Sequence, residues 1–148
     1  MQRSDDMPLE LLALAQKEGI RIEWWNFSPP LEAIYWDIPG LPPIIGLSYV
    51  LRQSPGAYFR CVLAEELGHH FTTTGNALPH NFFSIKNRLE VANAEYQALR
   101  WAALYLIPEE QLAAALTGGI TERKQLAAWF RVTEAMLEFR LKLIRDNA

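Results

Sequence analysis

Cysteine is nearly absent from this chain. Cys61 is the single one in 148 residues, which excludes an internal disulfide and any zinc site built from several thiolates. A dominant charge of one sign is also missing. Fourteen basic residues face seventeen acidic ones, for a net charge of −3 and a pI of about 5.6. That balance argues against non-specific nucleic-acid binding as the main activity. No apolar run reaches the length of a membrane span. The N-terminal stretch "MQRSDDMPLELLALAQKEG" has neither the apolar core nor the small-residue cleavage site of a signal peptide, so a cytoplasmic location is expected. Internal repeats and low-complexity segments are lacking too. Half of the residues are apolar and 21% are charged, which fits a globular domain with a sizeable core.

The element pattern predicts an α+β fold. Asp6 is placed to cap a first helix running to about Glu18, with Gly19 just past its end. "IRIEWWNF", "EAIYWDIPG" and "PPIIGLSYVL" read as three short strands, taken together as an antiparallel sheet. From Pro55 and Gly56 the pattern turns helical. One helix is expected over about 57–71, followed by a loop, "TGNALPHNFF". A second covers 88–106, a stretch free of glycine and proline that stops at Pro108. "PEEQLAAALTGG" is a short helix closed by two glycines. The remainder is either one long helix or two joined at Arg131-Val132, with Thr133 capping the second. These pieces make one domain over 1–148: helix and strands over 7–56, two site-bearing helices over 57–108, and C-terminal helices over 109–148.

The chemistry concentrates in "LAEELGHHFTT", residues 63–73. Zinc-peptidase helices carry H-E-x-x-H, two histidine ligands one turn apart with a glutamate that activates water. Here Glu65 stands where the first histidine would be. On a helix, Glu65 and His69 lie about 40° apart around the axis and about 6 Å along it, so one ion can touch both. Glu66 is turned by about 100° and misses that grip, yet can still reach an attacking water as a general base. Gly68 costs about 1 kcal/mol against alanine inside a helix, and its missing side chain would let a neighbouring segment or a substrate approach. By itself "EELGHH" is also what a solvated charged helix face looks like. Glu95 adds weight. If Ala94, Ala98, Trp101, Ala102 and Tyr105 form a buried face, Glu95 sits at its edge, either reaching outward or holding a cation.

"LAEELGHHF" followed by "EYQALRWAALYLIP" resembles the ImmA/IrrE metallopeptidases, which pair an H-E-L-G-H helix with a downstream E-x-x-A-x-x-F-A-x-x-L-L-x-P helix. The matching positions are Glu66, Leu67, Gly68 and His69, then Glu95, Ala98, Trp101, Ala102, Ile107 and Pro108. "QLAAWFRVTEAMLEFRL" is similar to that family's C-terminal segment. The resemblance implies a zincin-like domain in which His69 and Glu95 are metal ligands and Glu66 is the general base. Glu65 takes the remaining ligand position and departs from the pattern. A carboxylate is an acceptable zinc ligand, but a harder set with more charge shifts preference towards Mn²⁺ or Fe²⁺. Zn²⁺ is the first expectation, with hydrolysis that is weak or needs a higher pH. The resemblance further implies a helix-turn-helix repressor of a phage or mobile element as substrate. The alternative is a weak or inactive member that keeps the fold and binds a regulatory protein. A DNA-binding role for the C-terminal helices is disfavoured by their mixed charge.

Other residues have two readings each. His70 can contact Glu66 at i,i+4 or frame a second metal, with the helix contact favoured. His80 reads as a surface residue. Cys61 lies about 12 Å along the helix from His69, too far to share an ion with it, and reads as buried and structural. Trp101 and Trp129 read as core. Tyr49 or Tyr58 could donate to a developing oxyanion. "PIIGLSYVL" is either an internal strand or one that pairs with an extended substrate, with Gly46 admitting the substrate backbone.

Overall fold

The computed structural model describes residues 7–73 and 85–147, with side chains from residue 92 onward in the second stretch. The segment expected as a loop, "TGNALPHNFF" with His80, and the proposed cap Asp6 lie outside the described residues. The order is α1 (Leu9–Lys17), β1 (Arg21–Trp25), β2 (Ala33–Trp36), β3 (Ile44–Ser48), a 3₁₀ turn over Tyr49–Gln53, then α2 (Gly56–Thr72), α3 (Ile85–Leu106), α4 (Glu109–Thr117), α5 (Arg123–Phe130) and α6 (Glu134–Asp146). The α+β expectation is borne out.

The sheet corrects one expectation. Its strand order is β1-β3-β2, with β3 parallel to β1 and antiparallel to β2. It is therefore mixed. The reason lies in burial. In β3 the four residues from Ile45 to Ser48 are all buried, whereas β1 and β2 keep every residue at least partly accessible. The most apolar strand takes the centre, where both edges are hydrogen-bonded, and β2 moves outside it. The same placement decides between the two readings of β3. It is internal, and the space at Gly46 is filled by the Trp25 ring, which a β-carbon there would meet at 2.5 Å.

Above the sheet, α2 carries Phe59, Leu63, Ala64 and Leu67 into a core shared with Leu11 of α1 and with Ile45 and Leu47 of β3. At the close of α1, Gly19 adopts φ +74°, the left-handed conformation that suits glycine past a helix end. The C-terminal segment is two helices. Arg131 turns left-handed at φ 57°, and the Thr133 hydroxyl then caps α6 by accepting from the Met136 amide at 3.1 Å. The turn is fixed from α2: Arg60 Nε donates to the Arg131 carbonyl at 3.2 Å, and the same guanidinium pairs with Glu10 of α1. Cys61 is buried as expected, its thiol facing the Thr133 hydroxyl at 3.8 Å. Trp129 is not core; it is 63% exposed. Among the described residues no helix is long and apolar enough to cross a membrane.

Candidate metal centre

The contact that creates the site is backbone to backbone. α2 packs most extensively on α3, and a β-carbon at Gly68 would stand 2.2 Å from the Ala98 carbonyl oxygen. Only glycine permits that approach. The neighbour admitted by Gly68 is thus α3 itself. Ala98 is buried beside it, and Glu95, one turn earlier on α3, is brought over the α2 face that carries Glu65 and His69.

His69 Nε2 lies 3.2 Å from Glu95 Oε1. Glu65 lies close enough for Glu95 and His69 to act on its charge in opposite directions. Of the three residues singled out by the sequence, His69 and Glu95 are in contact, and Glu65 lies within their electrostatic reach. Burial, and then the Glu95 charge, push the Glu65 carboxyl above its usual range. For His69, burial opposes the charged ring, but the Glu95 hydrogen bond and the surrounding carboxylates outweigh it and raise the imidazole pKa.

Glu66 points elsewhere, as its offset on the helix requires. Its carboxyl lies beside the Tyr35 backbone on β2, which favours its ionised form slightly. Burial, partly offset by His69 and reinforced by Glu65 and Glu95, raises its pKa to about 7. A carboxyl with that value exchanges protons readily near neutrality.

His70 departs from both of its readings. Nε2 lies 3.0 Å from a Glu18 carboxylate oxygen and Nδ1 lies 2.9 Å from the Tyr35 hydroxyl. An ionised carboxylate only accepts, so Nε2 carries a proton, and in the neutral ring Nδ1 accepts from Tyr35. Both nitrogens are engaged, by Glu18 just past α1 and by Tyr35 of β2, rather than by Glu66. Tyr35 thus holds α2 through the His70 side chain. Nothing in "EAIYWD" marks it for that task beyond a strand pattern. Of the two tyrosines considered as oxyanion donors, Tyr49 stacks on Trp24 beside the Arg52 guanidinium. Tyr58 is the one near the acids. It donates to Glu32 at 2.6 Å, and that bond, with burial and the Glu32 and Glu65 charges, raises its pKa to about 12.

The expected buried face of α3 is also modified. Ala98, Ala102, Ala103 and Leu106 form it. Trp101 packs against the core only in part and sits between Phe71 and Tyr105 in a stack with centroid spacings of 4.8 and 5.0 Å, while Tyr105 is 40% exposed.

One imidazole nitrogen and two carboxylates form a donor set whose chemistry fits a divalent cation. As they stand, His69 and Glu95 contact each other rather than surround a common point with Glu65. Among the described residues no group of three or more His, Cys, Asp or Glu is spread as a ready metal cage. The raised pKa values of Glu65 and His69 are features a cation would reverse, since a positive charge favours the ionised acids and the neutral ring.

No curated protein and no solved structure matches the chain. The model of the IrrE N-terminal-like domain, peptidase M78, matches residues 33–142, which take in β2, β3, both site helices and most of the C-terminal helices. The chain belongs to this metallopeptidase family.

Proposed function

We propose that the chain is a metal-dependent endopeptidase whose ligands are Glu65, His69 and Glu95 and whose general base is Glu66. The observation that supports this reading is the crossing of α2 and α3: the helices approach closely at Gly68 and Ala98, His69 meets Glu95 at 3.2 Å, and Glu65 and Glu66 lie within electrostatic reach of both. When bound, a divalent ion supplies Lewis-acid polarisation of the scissile carbonyl and the attacking water. Zn²⁺ is the first choice, and the two carboxylates also suit Mn²⁺ or Fe²⁺. Glu66 takes the proton from the attacking water and passes it to the leaving amide nitrogen. Its pKa of about 7 suits both halves of that transfer. Tyr58 supplies a hydroxyl that turns from Glu32 to the developing oxyanion.

The substrate we propose is a helix-turn-helix repressor of a phage or mobile element, on the strength of the family resemblance, and the setting is the cytoplasm. Incubation with the repressor encoded beside this chain, with added Zn²⁺ or Mn²⁺, tests the reading. Cleavage by the wild type should fall by a factor of about 100 or more in Glu66→Gln, the scale of losing a positioned general base. Absence of metal binding, together with intact repressor after prolonged incubation, defeats it. A second reading is favoured by the burial of Glu65 and its repulsion from Glu95, which raise its pKa and oppose its ionised form: a member that keeps the fold and captures the regulator uncut. Stable binding without cleavage, equal in wild type and Glu66→Gln, is its signature.

A further inference from the structure

A second polar constellation lies on another face of α3. Arg100 and Leu104 are turned by about 140° and 180° from Glu95 around the helix axis. With Glu109 at the start of α4 and Arg140, Leu143 and Ile144 on α6, they line a cavity of about 450 Å³. Arg140 is only 3% exposed. Its Nε donates to the Ile107 carbonyl at 2.8 Å, which uses one of five N–H donors. Among the described residues, neither Arg140 nor Arg100 forms an ion pair with a carboxylate. Glu109 lines the same cavity and favours the Arg140 charge without pairing to it. Burial and the Arg100 charge both oppose it, burial the more strongly. A buried guanidinium with most of its donors unspent is costly unless something compensates it.

The charges select the occupant. Two guanidiniums and one carboxylate line the cavity, leaving a single uncompensated positive charge. One monoanion neutralises it, whereas a dianion overshoots. Guanidinium donors match the two oxygens of a carboxylate. The rest of the wall is Leu104, Leu143 and Ile144 with one neutral polar residue, Asn147; the three apolar side chains suit an apolar body attached to the charged head. We propose that this cavity is a binding site for a small organic carboxylate, its head taken by Arg100 and Arg140 and its apolar part by Leu104, Leu143 and Ile144. The site is separate from the metal centre and does not depend on the peptidase reading.

Calorimetric titration of the full chain with hexanoate, hexyl phosphate and hexanol tests it. Hexanoate should bind saturably at one site with a Kd on the order of millimolar or below, and hexanol should not saturate. Arg140→Gln removes a buried structural hydrogen bond as well, so the informative variant is Arg100→Gln, at an exposed position, with an unchanged melting temperature as the folding control. Losing one charge-assisted pair should weaken hexanoate about tenfold or more. Three results overturn the proposal: no saturation by hexanoate at about 50 mM, an affinity unchanged in Arg100→Gln, or hexanol binding as tightly as hexanoate. Tighter binding of hexyl phosphate overturns the carboxylate assignment.

Discussion

On the proposed reading, activity turns on Glu65. In the related helix pattern an imidazole occupies its position, and here a carboxyl does, its pKa raised by burial and by the Glu95 charge. A cation must offset that burial and repulsion and tolerate two acids in place of one. Glu65→His removes one of the two mutually repelling carboxyl groups and provides a softer donor. The variant is therefore expected to bind Zn²⁺ more tightly, on the order of tenfold, as read by metal competition with a chromophoric chelator; weaker binding would show that the carboxylate is the better ligand here. Tyr58 gives a test at high pH. Its bond to Glu32, together with burial, raises the folded pKa from 10.0 to about 12. A raised pKa means that this contribution to stability is complete below pH 10 and is lost as pH climbs through about 12. Tyr35 is also raised to about 12, so alkaline difference absorbance should show a two-tyrosine step near 12 that loses about half its amplitude in Tyr58→Phe.

Between elements, the decisive contact is the crossing of α2 and α3. A methyl group at position 68 collides with the backbone of Ala98, and backbone cannot rotate away as a side chain can. Although alanine is the better helix former, Gly68→Ala should destabilise by about 1–3 kcal/mol through overpacking. It should also separate Glu95 from His69. Urea denaturation and metal titration on the same variant would detect both effects, and a stabilised protein with unchanged metal affinity would contradict this account of the crossing. A glycine inside the helix at position 68 is grounds to expect a close neighbour without saying which one. Helical spacing alone put Glu65 and His69 on one face and turned Glu66 away from it. The partners of His70 were not legible, because Glu18 and Tyr35 lie 52 and 35 residues away in the chain and no local pattern encodes such contacts.

Across the whole molecule, α2 is the axle. Arg60 ties it to Glu10 at one end of the chain and to the Arg131 turn near the other, while its apolar face enters the shared core. Cys61 sits in that setting, and burial pushes its thiol pKa up. It should therefore resist alkylation in the native state and react at a rate that follows global unfolding. Rapid labelling of the native chain by a thiol reagent would refute that burial.

The α+β class, the positions of the helices and the spacing of the site residues follow from local rules: apolar periodicity, turn residues, and the 3.6-residue helical repeat. Those rules also carry the resemblance that the match over residues 33–142 bears out. Three features were settled only by tertiary packing. The central place of β3 depends on which strand buries most. The His70 bonds depend on which distant groups arrive beside it. The cavity at Arg100 and Arg140 depends on how α3, α4 and α6 meet. Each is a contact between segments far apart in the chain, and side-chain periodicity carries no information about which surfaces will face one another.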